Sequence, residues 1–141
     1  MSTALLSFFG VIIGAALQYL FTRHIDNQKH HRELRTKAYT DYLKCVSEHA
    51  NIGKPRQSSE GRELATKTAD AKCRICLYGS SSVVKAFAEF ESLGATMNTT
   101  EQCTAFTRMV SIMRGDSTIG GGNVELKDLE TVLLGVQRNA A

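Results

Sequence analysis

The 141-residue chain is 43% hydrophobic and 22% charged, with no Trp and one Pro (Pro55), which leaves room for a single domain with one modest core. Its net charge of +3 is unevenly placed: between residues 23 and 37, Arg23, Lys29, Arg32, Arg35 and Lys37 meet only Asp26 and Glu33, whereas from residue 38 onward twelve cations balance twelve acids. With the excess outside the candidate core, no polymeric nucleic acid is expected as a partner, and four scattered cysteines exclude a disulfide scaffold.

Residues 4–21 read ALLSFFGVIIGAALQYLF, without a charged side chain. As a helix this run is about 27 Å long, close to the roughly 30 Å of a hydrocarbon core. Its Leu, Ile, Val and Phe residues favour insertion by about 3 to 6 kcal/mol. The run predicts a single transmembrane anchor within 1–22. A cleaved signal peptide would need a cationic leader, and a core helix is rarely apolar on every face. The cations that follow place the amino terminus outside a bacterial inner membrane and the remainder in the cytoplasm, where thiols stay reduced. Gly10 and Gly14 form a GxxxG that, with Ser7 and Gln18, predicts a self-association face and a homo-oligomer.

No Pro or Gly interrupts residues 15–52, so residues 23–37 are expected to continue as a polar stalk helix. Arg23 and Lys29 lie near enough to the bilayer to contact headgroups. Arg35 and Lys37 lie roughly 20 Å out at 1.5 Å per residue. Across an oligomer axis these outer cations would repel unless an anion sat among them.

From Ala38 an apolar face begins: Ala38, Tyr42, Cys45 and His49, flanked by Tyr39, Leu43 and Val46. The first core helix is predicted to end near Asn51 and Gly53, and residues 53–61 to form a loop. A second helix, capped by Ser58 or Ser59, is expected to run to Tyr78 and stop at Gly79, with Leu64, Ala65, Ala69, Cys73, Ile75, Cys76 and Leu77 inward. The third opens at Ser80–Ser82, buries Val83, Val84, Phe87, Ala88 and Phe90, and stops at Gly94. Asn98 and Glu101 have capping-box spacing for a fourth, which buries Cys103, Phe106, Met109, Val110 and Met113 before Gly115. Asn123 is expected to cap a last helix carrying Leu126, Leu129, Val132, Leu133 and Val136. No stretch alternates with period two. The expected fold is all-α: an anchor at 1–22, a stalk at 23–37 and a bundle of four to five helices at 38–141.

Catalytic constellations do not emerge. Cys73-Arg74-Ile75-Cys76 is a CxxC, but it lies late in a helix with no preceding strand and no second close pair, so core packing is the preferred reading over redox or zinc chemistry. There is no HExxH, no phosphate loop and no nucleophile–base spacing, so neither an enzyme nor a metal or cofactor is expected. The polar residues Arg74, Tyr78, Ser80, Arg114 and Asp116 fall at helix ends beside apolar faces. With Arg35 and Lys37 they form the candidate ligand site, since paired Arg donors suit a phosphate.

The order of an apolar amino-terminal helix, KAYTDYLK (37–44), ICLYGSSSVVKAF (75–87) and MVSIMRGD (109–116) resembles small bacterial membrane-anchored helical proteins of uncharacterised function. The layout is also similar to antiphage membrane effectors, including those of type III CRISPR defence that sense cyclic oligoadenylate. That similarity is one of architecture and transfers no residue roles. Together with the GxxxG face, the outer cations and the absence of an active site, it points to a non-enzymatic, self-associating inner-membrane protein whose cytosolic bundle is expected to sense an anionic ligand, a cyclic nucleotide, and to perturb the bilayer in antiviral defence. The alternative is a membrane-tethered scaffold that binds a protein partner and exposes an apolar patch around Val132 and Val136.

Overall fold

In a computed structural model of the chain, the backbone of residues 2–52, 57–118 and 124–135 is described, with the side chains of 10–50, 57–118 and 124–135. Among the described residues the secondary structure is entirely helical. The five helices are α1 (Ser2–Ile52), α2 (Ser59–Tyr78), α3 (Ser81–Ser92), α4 (Thr100–Ser117) and α5 (Leu126–Leu134). The chain divides into two compact units, Met1–Leu34 and Arg35–Ala141. The second begins slightly before Ala38 because Arg35 reaches an acid on α4, as described below.

The first unit is the amino-terminal part of α1. Among the described residues no helix is long and apolar enough to cross a membrane. The expected anchor begins at residue 4, and the side chains before Gly10 lie outside the described residues. The apolar remainder to Phe21 is about 18 Å of helix, short of a bilayer core.

In the second unit a core is shared by the later part of α1 and by α2, α3 and α4. It gathers Ala38, Tyr39, Tyr42, Ala71, Ile75, Val83, Ala86, Phe87, Phe90, Ala105, Phe106, Met109, Val110 and Met113. Aromatic contacts order it. Tyr42 meets Phe87 edge-on with centroids 4.9 Å apart, and Phe90 tilts against Phe106 at 5.4 Å. Helices α1 and α2 run antiparallel, pairing Asp41 with Arg74 and His49 with Thr68.

The helix ends follow local chemistry. Ser58 and Ser80 cap α2 and α3, their hydroxyls accepting the N–H of Gly61 and Val83. Helix α3 ends in a Schellman motif: Ala95 N–H donates to Phe90 O and Gly94 N–H to Glu91 O, with Gly94 left-handed at φ 92°. The capping box of α4 uses Thr99 and Gln102, one residue on from the expected Asn98 and Glu101. Gln102 also donates to Leu93 O at 2.6 Å, so one side chain ties the α3–α4 turn at both ends. At the C-cap of α2, Gly79 is required by space and not by handedness. Its φ is −65°, but a Cβ there would sit 2.5 Å from Ile75 O and 3.3 Å from the Tyr39 hydroxyl.

Several expected core positions are corrected. On α2 the buried residues are Gly61, Leu64, Ala71 and Ile75, while Ala65, Ala69, Cys73, Cys76 and Leu77 face outward. His49 and Ala88 are exposed, and Val84 and Cys103 are half-buried. Thr107, absent from the expected core, is buried with its hydroxyl on Cys103 O. Helix α4 runs through Gly115 to Ser117. Asn123 and Val136 lie outside the described residues, and Glu125 holds the N-cap of α5 without a side-chain bond.

Candidate functional site

Tyr39 stands at the meeting point of three helix ends. Its hydroxyl donates to Asp116 Oδ2 at 2.6 Å, near the end of α4. The other carboxylate oxygen, Oδ1, accepts from Arg35 Nη1 at 2.9 Å, one turn earlier on α1. The Ser80 backbone N–H, at the α2–α3 junction, faces the same phenol oxygen. The missing Cβ of Gly79 leaves room for that approach. Asp116 is shielded, with a side-chain exposure of 15%, and Arg35 is partly so at 29%. A Tyr inside an apolar core needs a polar partner for its hydroxyl, and this carboxylate supplies it.

The surroundings set the acidity of the two core tyrosines. Burial pushes the Tyr39 phenol well above its ordinary value, and the hydrogen bond to Asp116 and that carboxylate's charge add to the shift. The Ser80 N–H and Arg35 oppose it without cancelling it. Burial raises Tyr42 as well, helped by the nearby Glu91. Native protein therefore holds two protons that the unfolded chain releases above pH about 10. Stability contributed by these groups is complete below that pH and falls above it. We expect a loss of about 1.4 kcal/mol per pH unit for each tyrosine. Melting curves between pH 8 and 11.5 should steepen in their decline above pH 10, and Tyr39→Phe with Tyr42→Phe should flatten that limb. An unchanged slope in the double variant would contradict the assignment.

The remaining candidates divide. Arg35, Ser80 and Asp116 come together around Tyr39. Lys37 is exposed, Tyr78 is half-buried, and Arg114 is exposed on the last turns of α4. Arg74 is held by carboxylates: Nη1 lies 2.8 Å from Asp41 and Nη2 2.8 Å from Asp70. The adjoining groove of about 220 Å³ is lined equally by acids (Asp41, Glu48, Asp70) and bases (Lys44, Lys67, Arg74). An anion there would have to displace carboxylates already in place. In the first unit a Cβ on Gly10 or Gly14 would meet open space, and Gln18, Arg23 and Lys29 are exposed. The side chain of Ser7 lies outside the described residues.

Sequence reasoning placed Tyr39 in the core and missed it as the polar centre. The signal available was an aromatic hydroxyl inside an apolar helical face, which demands a partner without saying where it lies. Among the described residues no group of three or more His, Cys, Asp or Glu could hold a metal ion. The Thr68 hydroxyl approaches His49 Nε2 at 3.5 Å but donates its proton to Leu64 O at 2.7 Å, so it is not an activated nucleophile. No protein-family model, curated protein or solved structure matches the chain.

Proposed function

We propose that this chain is a non-enzymatic, membrane-tethered helical protein that self-associates, with the apolar side of α5 covered by a second copy. The observation that carries the reading is α5 itself. Of the five large aliphatic side chains in its nine residues LKDLETVLL, Leu129 and Leu134 are half-buried, Leu134 against the core, whereas Leu126, Leu133 and Val132 (81% exposed) are left uncovered. α2, α3 and α4 each bury at least four residues, and so does α1 between Ala38 and Cys45. Covering such side chains gains about 1.5–3 kcal/mol for each one fully buried. The uncharged run at 4–21, followed by Arg23 and Lys29, supports a tether in the bacterial inner membrane with the amino terminus outside.

The test is the mass of the full chain in detergent micelles, followed by disulfide trapping in native membranes through a cysteine at Val132. An oligomer in micelles, trapped through position 132 and reduced toward monomer by Val132→Asp, is the expected result. A chain recovered from the soluble fraction, or one monomeric in micelles and untrapped in membranes, would defeat the reading. Monomers trapped at 132 to a different protein would shift the reading to a scaffold.

Anion sensing is the second reading, favoured by one observation: Arg35 Nε is buried without a hydrogen-bond acceptor. A selective rise in the melting midpoint with cyclic or linear nucleotides, lost in Arg35→Ala, would support it. Mass action makes the gain about 2.7 kcal/mol at a hundredfold excess over Kd.

A further inference from the structure

We infer that Cys73 and Cys76 form a two-coordinate thiolate site for a soft monovalent cation, Cu(I) in chemical type. Both thiols are exposed on α2. At positions i and i+3 they are neighbours on one helical face, with Cβ atoms about 5–6 Å apart. A disulfide needs a Cβ separation of about 3.8 Å, so it cannot close while α2 stays helical. A metal bridge is longer. Two metal–sulfur bonds in line hold the sulfurs well beyond the roughly 2.0 Å of a disulfide, a span open to i, i+3 side chains on an unbroken helix.

The ligand count selects the ion. Zinc in a structural site takes four ligands. Among the described residues no third His, Cys, Asp or Glu joins this pair. The nearest acid in sequence, Asp70, is a hard oxygen ligand and is engaged by Arg74. Soft thiolates with no further ligand favour Cu(I). On binding, each thiol loses its proton to solvent: two S–H bonds break, two metal–sulfur bonds form, and two protons are released per ion.

The other two cysteines serve as internal controls. Cys45 is buried, and Cys103 donates its S–H to Met97 O at 3.4 Å. The full chain in detergent, reduced beforehand, freed of reductant and held without oxygen, is titrated with Cu(I) delivered as a coloured complex of a competing chelator. One Cu(I) per chain should transfer, with bleaching of the chelator. Transfer should disappear in Cys73→Ser and in Cys76→Ser and persist in Cys45→Ser and Cys103→Ser. Far-UV dichroism monitors folding in each variant. No transfer to the folded wild-type chain would overturn the inference, as would transfer that survives in either single variant of the pair. One ion per two chains would also overturn it, by assigning the bridge to thiols of different copies.

Discussion

Replacing Phe90 with alanine is expected to destabilise the 35–141 unit by about 3–5 kcal/mol. Phe90 is 1% exposed, lies in the core with Val83 and Met109, and tilts against Phe106. Truncation removes the transfer free energy of the ring and leaves a cavity that flanking helices can only partly close. Against a usual stability of about 5–15 kcal/mol, that loss is a large share. Denaturant unfolding of the full chain in micelles, followed by tyrosine fluorescence, reads it directly, since Tyr39 and Tyr42 lie in the same core. The control is Leu77→Ala, because Leu77 is large but 74% exposed and should change stability by no more than about 0.5 kcal/mol. A Phe90→Ala cost below about 1 kcal/mol would show that this core is looser than described.

Asp116→Ala is expected to cost about 2–3 kcal/mol, because it strips two partly buried donors of their acceptor at once. Arg35 loses its ion pair and Tyr39 its hydrogen bond. Asp116→Asn separates the contributions, since an amide oxygen can still accept from Tyr39 but no longer neutralises Arg35. Asn should therefore fall between wild type and Ala. Arg35 keeps some exposure and water replaces part of its pairing, which holds the estimate below that for a fully buried pair. A cost under about 0.5 kcal/mol for Asp116→Ala would mean that the carboxylate does not tie α4 to α1.

The helical class and most helix ends were legible because they rest on local chemistry. Ser58 and Ser80 announce themselves as caps, and Gly79 and Gly94 as stops. The capping box shifted by one because Asn98/Glu101 and Thr99/Gln102 both satisfy the spacing. The choice falls to Gln102, which alone also reaches Leu93 O across the turn, a tertiary fact that spacing does not carry. The inward face of α2 was legible in Leu64 and Ile75 and misread in the residues around them. Its true stripe passes through Gly61, Leu64, Ala71 and Ile75, two of them small. The rival series Ala65, Ala69, Cys73 and Leu77 looks more apolar and faces out. The choice between the faces is tertiary: Ala71 and Ile75 join the core cluster with Tyr39 and Tyr42 of α1, and size does not make it, since three of the four rival residues are small.

The candidate site was legible in its members and not in their pairing. Ser80 and Asp116 were singled out for polarity beside apolar faces and Arg35 as an outer cation of the stalk, and the three converge on Tyr39. The residue that joins them, Tyr39, has its partner 77 positions away, and no local pattern records that separation. Arg74 likewise read as a cation available to a ligand, because nothing in the sequence pairs it with Asp41 on a different helix.

The wide separation closed by Tyr39 bears on how long the folded state lasts. Helices α3 and α4 are joined by a short turn and bring Phe90 to Phe106 at little cost in loop entropy. We expect contacts of that kind to form early and the junction of Tyr39 with Asp116, which closes a much longer loop, to form after the barrier. Phe90→Ala should then slow refolding, whereas Asp116→Asn should leave the refolding rate nearly unchanged and accelerate unfolding. Stopped-flow rates for the two variants give the order, and slower refolding in Asp116→Asn would reverse it. The hydroxyl of Tyr39 would act mainly as a brake on escape from the native state, governing its lifetime more than its assembly.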